Sequence, residues 1–330
     1  MGSGTSGCPS RRAVLAGGLG AGLVAASGVP AALASGRGSG GAARRLRVLE
    51  REHGVRLGAF GWNTTTGRRV AHRGDELFPM CSVFKTVAVA AVLRDLDRDG
   101  TFLPRVVRYT SRDVERAGHA PLTGLPGNLA AGMSVGRLCG AAVSHSDNAA
   151  ANLLLEQLGG PAAVTAFCRS VGDDVTRLDR WEPELNSAEP GRVTDTTSPE
   201  AIGRTYARLV VGKALDPGDR ELLAGWLLGN TTGGGRLRAG LPRGWTVAEK
   251  TGTGGYGTTH DVGVAWPPGG GPVVMAMLSA TRDADAAADE PVIARAATVV
   301  ATALTRGAAA FLDVGPSGWG RVRRVRASGW

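Results

Sequence analysis

Strand-forming stretches stand near both ends of this chain, and a long helical stretch separates them. Val55–Phe60 and Arg69–His72 flank Asn63-Thr64-Thr65-Thr66-Gly67 and read as a hairpin with a glycine-containing turn. From Ser82 to Leu228 the apolar residues recur at helical spacing: Val83–Leu96, Val135–Val143, Asp147–Leu158, Pro161–Ser170, Pro199–Val211 and Asp219–Leu228. Strands then return at Thr246–Glu249, Thr258–Trp266 and Val273–Ser279, with Pro267-Pro268-Gly269 turning between the last two. An amphipathic helix, Ala42–Glu52, precedes the first strand, and Pro291–Leu304 closes the series. The strands of a sheet must lie side by side, so the intervening helices are forced out as a separate lobe. The order predicts an α/β (α+β) fold: a five-stranded antiparallel sheet flanked by helices, with an inserted all-helical lobe. An active site is expected between the lobes.

The ends of the chain read differently from this central domain. Ser10-Arg11-Arg12-Ala13-Val14-Leu15 has a twin-arginine pattern, an apolar run extends to Ala26, and Ala32-Leu33-Ala34 suits a signal cleavage site. That run is too short and glycine-rich for a stable membrane span. Gly18-x-Gly20-x-Gly22 within it lacks the preceding strand of a nucleotide loop and is set aside. We therefore expect an export signal and glycine-rich linker over residues 1–40, a secreted product, and a folded domain over 41–305. Within the domain, 41–77 and 229–305 form the α/β lobe and 78–228 the helical lobe. Residues 306–330, with Arg321-Val322-Arg323-Arg324-Val325-Arg326, read as a solvated basic tail. The formal charge of +9 fits attraction to anionic polymers or small anionic substrates, and equally fits an arginine-biased composition. No nucleic-acid partner is expected.

Lysine is rare: Lys85, Lys213 and Lys250 are the only three. Arginine does not release its proton, so a base or compact cation at a reacting centre calls for lysine. Ser82-Val83-Phe84-Lys85 puts a hydroxyl and an ammonium on one face of a helix, with the hydroxyl at the helix start, where the dipole favours negative charge. Ser146-Asp147-Asn148 stands at another helix start, where Ser and Asp also serve as caps. Lys250-Thr251-Gly252 ends the strand Thr246–Glu249 and leads into Thr253-Gly254-Gly255 as a turn; glycine there also lets a substrate approach closely. Glu182 and Asn186 lie in a Pro-rich loop from Arg180, which is expected to pair with Asp195 across the loop's neck. Cys81, Cys139 and Cys168 have no disulfide or ligand spacing and read as core residues. The five histidines show no zinc motif, and no metal or other cofactor is expected.

Ser-x-x-Lys, Ser-Asp-Asn, Glu-x-x-x-Asn and Lys-Thr-Gly in this order resemble the class A serine β-lactamases, a motif set familiar for that family. The resemblance runs from about Leu46 to Leu304 and includes Asn230–Gly233 and Lys250–Thr258. It implies a monomeric enzyme acting on small β-lactam substrates. Ser82 would be the acylated nucleophile, with its N–H and that of Thr253 as the oxyanion hole. Lys85 would assist proton abstraction, and Glu182 with Asn186 would hold the deacylating water. Ser146, near Lys250, would protonate the leaving nitrogen, and Asn148 would bind the side-chain amide. Lys250, Thr251, Gly252 and Thr253 would receive the substrate carboxylate. Thr259 occupies a position where the family often has an arginine, and Arg236 fits the role instead. His119 stands where an aromatic gatekeeper is common. Cys81 matches one half of a disulfide found in some members, but Gly254 stands at the partner position, so no bridge is expected. The nearest rival, a penicillin-binding D-Ala-D-Ala peptidase, and a second, an idle β-lactam sensor, do not need Glu182 and Asn186.

Overall fold

The computed structural model describes residues 32–305 and Met1, with side-chain surroundings from residue 40 onward. The twin-arginine segment and the basic tail lie outside the described residues. Five strands form one antiparallel sheet: β1 (Arg56–Asn63), β2 (Arg69–His72), β3 (Thr246–Thr253), β4 (Thr259–Trp266) and β5 (Val273–Ala280). Their order across the sheet is β2-β1-β5-β4-β3. The N-terminal hairpin thus joins the C-terminal strands through the β1–β5 pairing, and the helical insert leaves from one edge of the sheet and returns at the other.

The apolar pattern of β5 explains why the sheet is covered on both faces. Val274, Ala276 and Leu278 enter one core, while Val273, Met275 and Met277 enter the other. Successive side chains point to opposite faces, so a strand with apolar residues on both faces needs cover on both. The helices Ala32–Glu52 and Glu290–Thr305 pack together over one face. The helix Pro199–Val210 and the helical lobe cover the other. Inside that lobe the helix Phe84–Ala91 is buried all round, as its continuous apolar composition requires, with Lys85 as its one charged residue.

Two boundaries differ most from the sequence reading. The first helix begins at Ala32, inside the stretch read as cleavage site and linker, and Ala42 is the first buried side chain among those described. The strand carrying Lys-Thr-Gly continues to Thr253, because Lys250, Thr251, Gly252 and Thr253 all pair with β4. The glycines that signalled a turn at Thr253 form it one residue later, around Gly254–Thr258.

Candidate active site

Ser82 lies in a 3-10 turn, Cys81–Val83, that runs directly into the helix Phe84–Ala91. Cys81 enters the turn at φ +46°, a left-handed conformation that costs a non-glycine residue about 1–2 kcal/mol. The surroundings hold it there. Met80 N–H donates to the Asp195 carbonyl at 2.7 Å, and the His260 ring bonds the Pro79 carbonyl at 2.7 Å. Gly252 packs against the turn: a Cβ there would lie 3.3 Å from Cys81 Cβ and from the Met80 carbonyl oxygen.

Lys85, one turn beyond Ser82, is wholly buried and saturated with acceptors. Its ammonium donates to Asn148 Oδ1 at 2.6 Å and to the Ser146 carbonyl at 2.8 Å, and lies 3.0 Å from Glu182 Oε1. Burial lowers its pKa, and the Glu182 carboxylate opposes that shift. Ser82 Oγ is 3.4 Å from the same Glu182 oxygen. Lys250, equally buried, donates to Ser146 Oγ at 2.9 Å. Its pKa is driven well below the ordinary lysine value by burial and then by the charge of Lys85. Ser146 itself has φ +57°. The helix behind it starts at Asn148, capped by Asp147, whose carboxylate accepts from Ala150, Leu122 and Thr123 N–H groups. Asp147 thus takes the capping role, which leaves the Ser146 hydroxyl free to face the two lysines.

Glu182 is brought in by a loop whose ends are tied together. Arg180 Nε meets Asp195 Oδ2 at 2.6 Å, while Asp195 Oδ1 accepts from the N–H groups of Asp179 and Arg180. Asn186 Nδ2 donates to Glu182 Oε2, and Asn186 Oδ1 is buried without a protein partner. Asn152 holds the Glu182 peptide from both sides, donating to its carbonyl at 2.9 Å and accepting from its N–H at 3.0 Å. The sequence reading missed Asn152. It lies four residues after Asn148 on the same helix, and that spacing was the available signal.

The opposite wall is β3. Thr251 Oγ1 is 2.6 Å from Thr232 Oγ1, and Thr253 is exposed. Arg236 is buried and donates to Thr253 Oγ1 at 2.8 Å and to the carbonyls of Gly252 and His260 at 2.9 and 2.8 Å. Glu290 holds its Nε at 3.0 Å. The guanidinium therefore stands beside Lys250-Thr251-Gly252-Thr253. Gly254 faces the loop, where a Cβ would sit 2.6 Å from the Asn186 carbonyl oxygen and 2.8 Å from Cys81 Sγ. Cys81, Cys139 and Cys168 are free and buried, and burial raises the pKa of each. His119 is exposed, with its ring 3.4 Å from the His145 carbonyl. Its own carbonyl accepts the Asn148 N–H at 2.7 Å, so its backbone helps seat the helix that carries Asn148.

Contacts thus run unbroken from Ser82 through Glu182 and Lys85 to Asn148, Ser146 and Lys250, with Arg236 beside Thr253 on the same wall. A serine hydroxyl beside a carboxylate that pairs with a buried lysine, facing a sheet edge that carries a second lysine, is the arrangement of a serine hydrolase. The sequence pattern of the β-lactamase enzyme family matches residues 41–304. The chain is 60% identical over 306 residues to a β-lactamase of Streptomyces lavendulae, covering 91% of this chain and 99% of that protein. Identity to a β-lactamase of Streptomyces fradiae is also 60%, over 303 residues, 91% of this chain and 99% of that one. The solved β-lactamase from Streptomyces albus G superposes with a TM-score of 0.79 at 63% identity, over 80% of this chain and 99% of that one. A variant of the reconstructed last common ancestor of Gram-negative bacteria β-lactamase class A superposes with a TM-score of 0.76 at 49% identity, over 80% and 98% of the two chains. The chain belongs to the β-lactamase enzyme family, with the class A fold.

Proposed function

We propose that this protein hydrolyses the β-lactam ring of penicillin- and cephalosporin-type antibiotics through a serine acyl-enzyme released by a Glu182-activated water, and so confers resistance to them. The observation that carries this reading is the Glu182 carboxylate, 3.4 Å from Ser82 Oγ and 3.0 Å from Lys85 Nζ. One carboxylate so placed serves both halves of the reaction. A base within about 3 Å of the proton it takes, directly or through one water, has the required reach.

Ser82 attacks the strained carbonyl, and its N–H with that of Thr253 receives the developing oxyanion. Lys85, its pKa lowered by burial, shares the removal of the serine proton with the water on Glu182. Ser146 passes a proton to the departing nitrogen and is resupplied along the Lys250 contact at 2.9 Å. The acyl group is then released by a water held between the Glu182 carboxylate and Asn186, whose buried Oδ1 needs a donor. Residues 180–195 act as an Ω-loop that supplies this pair. Asn148 receives the side-chain amide of the antibiotic, and His119 borders that side. Lys250, Thr251, Thr253 and Arg236 receive the substrate carboxylate, while Gly252 keeps the strand close to the acylated serine. No metal or cofactor takes part. The enzyme works as a monomer on the outer side of the membrane, exported by its twin-arginine-type signal. Among the described residues no helix is long and apolar enough to cross a membrane. Residues 41–305 form the catalytic domain, in two lobes of 41–77 with 229–305 and of 78–228.

The test is turnover of a chromogenic cephalosporin by the purified protein. Many product molecules per enzyme are expected. A single stoichiometric burst with no further product would reassign the chain as a sensor or peptidase.

A further inference from the structure

Tyr206 lies in the helix Pro199–Val210, wholly buried behind the nucleophile turn. Its Oη is 2.9 Å from the Val83 carbonyl oxygen and 2.8 Å from Thr86 Oγ1. A phenol has one proton, and both the Val83 carbonyl and Thr86 Oγ1 are placed to accept it, so the two share one donor. Val83 directly follows Ser82, and Thr86 directly follows Lys85. Phenylalanine would fill the same space with no polar group to satisfy, so packing alone does not call for the hydroxyl.

The segment that carries Tyr206 gives this contact its meaning. Before the turn, Phe78 and Pro79 pair with Thr197 and Thr196, and Met80 N–H donates to the Asp195 carbonyl at 2.7 Å. After the turn, Tyr206 takes the Val83 carbonyl. Asp195 also closes the loop that carries Glu182, through its 2.6 Å contact with Arg180. One continuous stretch, 195–206, therefore grips the Ser82 turn on both sides and anchors the Glu182 loop. The helix is itself fixed: Thr205 Oγ1 donates to Asp173 Oδ2 at 2.7 Å, and a Cβ on Gly203 would lie 2.6 Å from Phe60 Cδ1.

We propose that the Tyr206 hydroxyl is a positioning group for the reaction, setting the placement of Ser82 relative to Glu182 through the Val83 carbonyl. This rests on the assignment of Ser82 as nucleophile and Glu182 as water-activating base. Deacylation needs the Glu182-held water on line with the acyl carbonyl carbon on Ser82, so it is the step most sensitive to a small shift of the turn.

The experiment compares Tyr206→Phe and Thr86→Val with the parent on a chromogenic cephalosporin, well below the melting temperature. Tyr206→Phe is expected to lose about tenfold in kcat, as a displacement of a few tenths of an ångström at a reacting centre does. KM should fall with it, because slower deacylation lets acyl-enzyme accumulate. Thr86→Val keeps the Tyr206–Val83 bond and is expected to stay within twofold of the parent. A Tyr206→Phe enzyme with parental kcat and KM, and only a lower melting temperature, would leave the hydroxyl a purely structural role and overturn the proposal. Equal kinetic losses in both variants would overturn it too, since the Val83 contact would then not be the one that matters. A parent without turnover is a different outcome, which defeats the functional reading itself.

Discussion

Replacing Glu182 by glutamine removes a charge and leaves most of the surrounding contacts in place. The substituted amide still offers an oxygen to Asn186 Nδ2, and Asn152 still holds the backbone at 2.9 and 3.0 Å. Ser82 and Lys85 keep their places, because Lys85 retains Asn148 Oδ1 at 2.6 Å and the Ser146 carbonyl at 2.8 Å. On the proposed mechanism, this removes the base that activates the deacylating water. General-base catalysis contributes about 10²–10⁴-fold, or about 2.7–5.4 kcal/mol of barrier at 1.36 kcal/mol per decade. Breaking a buried ion pair costs about 3–5 kcal/mol when the surviving charge stays in place. Lys85 escapes much of that by giving up its proton, since the carboxylate that raises its pKa is gone while burial still lowers it. Glu182→Gln is therefore expected to acylate once and stall. Rapid mixing with a chromogenic cephalosporin should give one equivalent of product per enzyme, then turnover slowed by that about 10²–10⁴-fold factor. Intact-protein mass spectrometry should find the adduct on Ser82, and the burst rate should reach half its plateau at lower pH than in the parent. Steady turnover at the parental rate would refute the assignment of Glu182.

Arg236→Ala removes a charged donor beside Thr253, worth about 1.5–3 kcal/mol, so kcat/KM for a carboxylate-bearing penicillin should fall about tenfold to hundredfold. The methyl ester of the same penicillin should lose little, and equal losses for acid and ester would remove Arg236 from carboxylate binding. Gly254→Ala puts a Cβ 2.6 Å from the Asn186 carbonyl oxygen, so strand and loop must part and kcat on small penicillins should drop about tenfold. An unchanged kcat would mean the loop yields without moving the water. A buried carboxyl pair on the neighbouring strands β3 and β4 gives a pH prediction. Glu249 is pushed up to about 10 by burial and by Asp261 beside it, and burial raises Asp261 as well. Above about 4.5 the unfolded chain ionises Glu249 while the native state keeps it protonated. Unfolding then releases a proton, so stability falls as pH rises toward 10, by up to about 1.4 kcal/mol per pH unit. Asp261→Asn should reduce the fall of melting temperature with pH between about 5 and 9, leaving the part due to burial of Glu249, whereas parallel curves for parent and variant would show that the charge of Asp261 does not contribute to the slope.

Much of this protein is written in one-dimensional information. Apolar periodicity separates strands from helices, and the split of the strands around the helices forces the two-lobed arrangement, because a sheet cannot be built without all its strands. Ser82 and Lys85 lie one helical turn apart, and a spacing of three sets that neighbourhood before any tertiary contact forms. The Arg180–Asp195 pairing was legible for a similar reason, since a loop with opposite charges at its ends closes on them. The tertiary structure alone decided the rest. Glu182 lies 100 residues from Ser82 in sequence and 3.4 Å from it in space, and Lys250 is 104 residues from Ser146 and 2.9 Å away. Local propensity does not encode distances across such separations; they arise when the core closes. Burial, too, belongs to the folded state: the same lysine side chain is an ordinary surface cation until packing strips its water and lowers its pKa. Tyr206 carried no signal, because in sequence it is one more large residue on the buried face of a helix. Only the packing of that helix behind the serine turn brings its hydroxyl to the Val83 carbonyl.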